Sequence, residues 1–239
     1  MKKTVTIIMA AAFFAACKKN NTDVQPVATS AVPKVKTLND GSAVATFAYT
    51  ADGNLQNYSI PDGSKVECEY LPGIINKKVY TTGGVFNYAY KFELNAAGLV
   101  IRTTLSNAPD YEVLDQYNPD NTHAKSVSKI NGITNTADYF YSNGNCDSIR
   151  YRGNDGTWYS TIVKTYYTDK PNVLTQESTG EKIYGKDNKN LLKTEMYKYP
   201  NGTSTQVVVY TYDYDAQGRI TKETGTQGAT VFSMSYTYY

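Results

Sequence analysis

"VVVYTYDYDAQGRITKETG", residues 207–225, decides how the chain is read. Tyr210, Tyr212 and Tyr214 alternate with other residues, so in an extended strand they line one face. Asp215 then opens a turn in which its carboxylate can accept backbone amides. Gly218 closes the turn where a positive φ is needed. The loop Ala216-Gln217-Gly218 makes a hairpin with a glycine bulge, which sets Asp215 against Arg219 and Tyr214 against Ile220. The rule is an apolar residue at i, a turn former at i+4 and an apolar residue at i+6.

The rule recurs. Tyr49, Gly53 and Leu55 obey it, as do Leu94, Gly98 and Val100, then Tyr167, Pro171 and Val173. Tyr117, Asn121 and His123 keep the spacing, and so do Lys186, Asn190 and Leu192. Tyr70 and Tyr141 turn one residue sooner, at Gly73 and Gly144, and Tyr238 begins a unit that the chain does not complete. Starts at 49, 70, 94, 117, 141, 167, 186, 214 and 238 give a period of about 24 residues, the mark of a repeat architecture. Between them lie further turn signals, among them Asp62-Gly63, Gly83-Gly84, Asn131-Gly132 and Asn201-Gly202. Two strands and two turns per unit predict an all-β domain. The expected form is a large curled antiparallel meander of about 16–18 short strands, open or closed as a flattened barrel, with helix only in the signal peptide.

"YTYDYDAQGRITKETG" resembles the YD repeat of Rhs-type proteins, whose units read roughly Tyr-x-Tyr-Asp-x-x-Gly-Arg-Leu. Only the unit at 210–220 is close; the others keep the spacing and lose letters. Across about residues 34–239 the chain resembles an uncharacterised family of Bacteroidota lipoproteins with a porin-like β fold. That resemblance implies a curled antiparallel sheet and no activity.

Packing in such a sheet falls to tyrosine: the chain has 23 tyrosines and 7 phenylalanines. Each ring supplies a large apolar body and a hydroxyl that needs water or a partner. A transmembrane barrel needs an uninterrupted outward apolar band. Lys77, Lys78, Lys91, Glu93, Arg150, Arg152 and Lys198 interrupt the strands, so a tethered sheet outside the bilayer is expected.

The amino terminus is read separately. Met1-Lys2-Lys3 is a short basic region, and thirteen uncharged, mostly apolar residues follow, too few to span a bilayer. Residues 1–16 are therefore expected to be a signal peptide. Phe14-Ala15-Ala16-Cys17 is similar to the lipobox of bacterial lipoproteins, with Phe14 in place of the usual leucine. The resemblance implies lipid attachment at Cys17; the alternative is an ordinary secretory signal with Cys17 a bystander. Residues 17–33 form a polar, proline-containing tether with no strand or helix period, and 34–239 the repeat domain. Lys18 lacks the acidic character that resembles an inner-membrane retention signal, so the outer membrane is the expected address.

Without Lys2 and Lys3 the formal charges balance, 22 basic against 22 acidic. No basic stripe is present, and a nucleic-acid partner is not expected. Cys68 and Cys146 lie three repeats apart, which favours free thiols over a disulfide. Asp213-x-Asp215 imitates the start of a calcium loop, but the twelfth position is Thr224 and no helices flank it. No metal, cofactor or catalytic residue is assigned, and the single histidine, His123, is read as structural. Trp158-Tyr159, with the only tryptophan, stands apart. It is read as a sheet-packing pair or as an aromatic platform for a sugar ring or partner protein. A non-catalytic, lipid-anchored binding scaffold for a glycan or partner protein is the leading expectation. A structural component of the envelope is the alternative, and a glycan-acting enzyme ranks last.

Overall fold

The computed structural model describes residues 32–239. The expected signal peptide and Cys17 lie outside the described residues, as does nearly all of the tether. The first eight strands are β1 (Val35–Asn39), β2 (Val44–Tyr49), β3 (Leu55–Ser59), β4 (Lys65–Leu71), β5 (Ile74–Tyr80), β6 (Phe86–Leu94), β7 (Val100–Leu105) and β8 (Ala108–Tyr117). The rest are β9 (His123–Ile130), β10 (Ile133–Ser142), β11 (Asn145–Arg152), β12 (Trp158–Pro171), β13 (Asn190–Lys198), β14 (Val208–Tyr214), β15 (Ile220–Gln227) and β16 (Thr230–Tyr238). Each strand pairs antiparallel with its neighbours in sequence, and β1 pairs with β16, so the meander closes into a sixteen-stranded barrel.

The repeat rule holds in the register. Tyr214 faces Ile220, Tyr49 faces Leu55, Leu94 faces Val100 and Tyr117 faces His123. Asp215 accepts the amides of Gln217 and Arg219 and the Arg219 Nε, at 3.0, 2.9 and 2.7 Å. Each of these hairpins carries a β-bulge just past the paired residue. The bulge shifts the pleat by one, so the next inward position falls at i+9 rather than i+8. Tyr58, Thr103, Ser126 and Glu223 are these i+9 residues, facing Phe47, Phe92, Asp115 and Tyr212. Closure completes the last unit: Tyr238 faces Val35, which is fully buried.

Tyrosines of the wall stitch neighbouring hairpins together. Tyr70 Oη donates to the Leu55 carbonyl (2.8 Å), Tyr166 Oη to Cys146 (2.7 Å) and Tyr212 Oη to Leu192 (2.9 Å). Tyr238 Oη donates to Ile220 (2.8 Å), and Tyr49 Oη on β2 donates to Val35 on β1 (2.6 Å). Each hydroxyl thus meets the first inward residue of the adjacent unit, a net gain of about 1 kcal/mol per bond. Tyr117 breaks the series: its hydroxyl is buried without a hydrogen-bond partner.

Two expectations are corrected. The spacings at Tyr167 and Lys186 are not separate hairpins. β12 runs on to Pro171, Tyr166 pairs with Leu192, and residues 172–189 form a single long insertion. Lys186 cannot face Leu192 because its amide bonds the Asn121 carbonyl of another hairpin, at 3.0 Å. The repeat domain, expected to have no helix, also holds a short one. The insertion contains α1 (Gln176–Thr179), which ends at Gly180 in the left-handed region. Four residues are too few to show a helical period.

This insertion plugs one end of the barrel. Gly180 O accepts from Leu55 N (3.0 Å), Ile183 O accepts from Val100 N (2.9 Å) and Lys189 N donates to Gly144 O (2.9 Å). Added to the Asn121 contact, these bonds tie the plug to four hairpin tips on that end, those of β2–β3, β6–β7, β8–β9 and β10–β11. Two glycines permit the close approach: a Cβ on Gly180 would lie 2.5 Å from Leu55 N, and one on Gly185 2.6 Å from Asn121 O. Leu174 packs with Val35, Leu191, Tyr212, Ile220 and Tyr236, and Ile183 packs with Ile75, Phe92 and Val100. Gln176 clamps the plug internally, donating to Gly185 O and accepting from Tyr184 N. Its own amide is taken by the Asp187 carboxylate at 3.0 Å. Asp187 is buried, and burial lifts its pKa to about 7.

Outside, β4 to β11 carry a cross-strand charge ladder. Lys78 meets Glu69 (3.3 Å), Arg102 meets Glu112 (2.8 Å), Lys129 meets Glu112 (3.3 Å) and Arg152 meets Asp138 (3.1 Å). Cys68 and Cys146 are free thiols on the inward side, and burial raises the pKa of both.

Candidate functional site

The inward positions define a cup. Along β16, Phe232 is exposed, Met234 half-buried and Tyr236 buried. Along β6, Tyr88 and Tyr90 are half-buried and Phe92 is buried. On β10, Ile133 is exposed and Ala137 buried. Exposure is greatest at the end opposite the plug and vanishes against it, so the inner wall is covered at one end and accessible to solvent at the other.

Aromatic rings line the open half. Tyr151 and Tyr159 stack at 6.1 Å and 30°, Tyr210 and Phe232 meet edge-on at 6.2 Å, and Tyr88 meets Tyr90 edge-on at 5.4 Å. Tyr197 faces Ile162 on the inner wall and is 38% exposed, open enough to touch a solute. Such faces with hydroxyl rims suit the apolar faces and equatorial hydroxyls of sugars.

Trp158 and Tyr159 do not form one platform. The bulge between Tyr151 and Arg152 leaves Tyr159 in the inner wall on Tyr151, while Trp158 pairs with Arg152, whose guanidinium lies on the outer wall. Trp158 lines an outer groove of about 390 Å³ with Thr161, Lys198, Tyr199 and Pro200. Adjacent letters thus serve opposite sides of the wall.

Of the polar groups inside the barrel the sequence named two: His123, read as structural, and Lys77, which faces inward and so does not interrupt an outward band. Lys77 pairs with Glu181 of the plug. Burial opposes the charge on Lys77, but Glu181, Tyr184 and Cys68 outweigh it and raise its pKa. Lys164 lies 3.5 Å from Glu195. Asp115, His123 and Ser126 form a tight group, with His123 stacked on Tyr139 at 4.2 Å. Asp115 and Ser126 both contact the same ring nitrogen, Nε2, at 3.0 Å, and Ser126 donates directly to Asp115 at 2.5 Å. A nucleophilic relay needs the two partners on opposite nitrogens, so this group is a structural knot. Among the described residues no group of histidine, cysteine and carboxylate side chains is arranged to hold a metal ion.

Glu223 differs from these. It faces Tyr212 on one side and Met234 on the other, within the wall, and is 9% exposed. Burial lifts its pKa to about 7. Strict alternation from Ile220 would turn Glu223 outward; the bulge turns it in, which is why the sequence pattern hid it.

Comparisons with known proteins agree with this architecture. Residues 187–230 match the family model described as RHS Repeat. Two solved structures share the fold. A porin-like protein from Bacteroides uniformis has a TM-score of 0.61 and 15% identity, with 87% of this chain and 96% of that one covered. A porin-like protein from Bacteroides vulgatus has a TM-score of 0.59 and 12% identity, covering 86% and 99%. The search of curated proteins found no match. The chain therefore has a porin-like β fold built from YD-type repeats.

Proposed function

We propose that the protein is a non-catalytic binding cup of the cell envelope, held to the outer membrane by lipid at Cys17, whose aromatic mouth receives a glycan chain end. The observation that carries this reading is the inner wall: covered at one end by 172–189, accessible and tyrosine-lined at the other. The charge ladder on β4 to β11 supports a barrel standing in water, because outward lysine and arginine cost about 2–4 kcal/mol each at a bilayer midplane. Lys34 and Tyr239 join at the plugged end, where Tyr239 N donates to Lys34 O. A tether leaving from Lys34 therefore presents the open mouth away from its anchor.

Two measurements test the proposal. Cys17→Ala is expected to release the protein from the membrane fraction; a variant that stays membrane-bound refutes the anchor. A glycan array probed with that variant is expected to give hits that Tyr159→Ala abolishes and Trp158→Ala leaves intact. Hits lost with Trp158 alone would move the site to the outer groove. An array without hits would leave the structural-component reading in its place.

A further inference from the structure

Most charged groups in the lumen have an opposite charge or a hydrogen bond: Lys77 has Glu181, Glu195 has Lys164, and Asp115 has His123 and Ser126. Glu223 has neither. No hydrogen bond or ion pair reaches it from the described residues, although it is more than nine-tenths buried. Its neighbours are rings: Tyr212 and Tyr210 on β14 and Tyr236 on β16, each of whose hydroxyls feels its charge. Glu195, also negative, acts on Tyr210 as well. Above it Phe232 lies flat over Gly225, so close that a Cβ there would fall 2.2 Å from the ring. A glycine inside a strand weakens it and marks close approach by another group; here it seats an aromatic roof one step toward the open mouth.

We infer that Glu223 and the rings of Tyr210, Tyr212 and Tyr236 form a subsite for a protonated amino group on the ligand. A carboxylate without a partner in an apolar setting is costly, and a compact cation removes that cost while the ring faces attract it. A neutral hydroxyl would leave the charge unanswered. The inference rests on the reading of the lumen as a ligand cup and names the charge of what enters it.

The test uses the full chain carrying Cys17→Ala and two probes of equal size, n-butylammonium and 1-butanol, titrated at pH 8 and followed by calorimetry. Butylammonium is expected to bind at least tenfold more tightly than butanol. Glu223→Gln is expected to remove that preference, and Tyr210→Leu to weaken it severalfold. Equal binding of the two probes, absence of butylammonium binding, or an unchanged preference in Glu223→Gln overturns the inference. Any of these results alongside Tyr159-dependent glycan binding would leave the cup reading standing and sink only the amino-group assignment.

Discussion

Glu223 gives a stability prediction independent of any ligand. Burial raises its carboxyl from 4.5 to about 7, so the folded state holds a proton that the unfolded chain releases. The sign follows from that difference. Below about pH 4.5 the residue is neutral in both states and costs nothing. As pH rises through the window to about 7 the folded state loses stability, and above 7 the loss is complete. Two and a half units correspond to about 3 kcal/mol. Glu223→Gln removes the titration and adds only a pH-independent difference between a neutral acid and an amide. Asp187, also lifted to about 7, is present in both proteins and cancels. The stability of Glu223→Gln relative to the parent is therefore expected to rise by about 3 kcal/mol between pH 4 and pH 8. For a domain of this size that is roughly 6–12 °C in Tm. Urea unfolding at four or five pH values measures it directly. A difference that stays flat across the window would refute the placement of Glu223 in an apolar, unpaired setting. A side chain that costs stability in a concave site is the pattern expected when function, not folding, keeps it there.

The tyrosine latches predict a graded series: Tyr70→Phe, Tyr212→Phe and Tyr238→Phe should each lose about 1 kcal/mol. Tyr117→Phe should lose nothing or gain, because its buried hydroxyl has no partner; equal losses across all four in urea unfolding would refute the latch. Lys77→Met should cost about 3–5 kcal/mol by stranding Glu181, and adding Glu181→Leu should restore most of it; failure of the double variant to recover would show that the pair contributes net stability. Gln176→Ala removes both internal clamps of the plug and should speed amide exchange across residues 174–189 while β14 to β16 stay protected; uniform exchange throughout the barrel would mean that the plug is not a separate cooperative unit.

Much of the fold was legible in the residues because four hairpins on the plugged end, β2–β3, β6–β7, β8–β9 and β14–β15, repeat one turn chemistry. Tyr214 against Ile220, with Asp215 bonding its own turn, followed from the letters alone. Closure followed less readily: Tyr238 looked like an orphaned start because its partner, Val35, lies at the other end of the chain. The plug was hidden for a different reason. Its glycines and asparagines imitate hairpin turns, and only the tips they touch, at Leu55, Val100, Asn121 and Gly144, reveal a crossing segment. The inner lining was hidden by the bulge, which exchanges in and out after each i+6 residue. Thr103, Ser126 and Glu223 therefore read as outward on simple alternation. For the same reason Trp158 and Tyr159, adjacent in sequence, end on opposite sides of the wall.

The seam between β1 and β16 has a consequence for biogenesis. Its contacts join residues about two hundred positions apart, as in the hydrogen bond between Thr37 and Thr237. Until the last strand is available, every partial meander has two open edges able to pair with another chain. Loop-closure entropy makes so distant a pairing slow. A chain made in sequence order must then keep the outer edge of its first strand unpaired until the last strand arrives. β1 has five residues, with Lys34 and Lys36 at its start and Asn39-Asp40 at its end. A short strand between charged and polar residues is a poor template for a stranger, and it waits for the one strand whose tyrosines fit it.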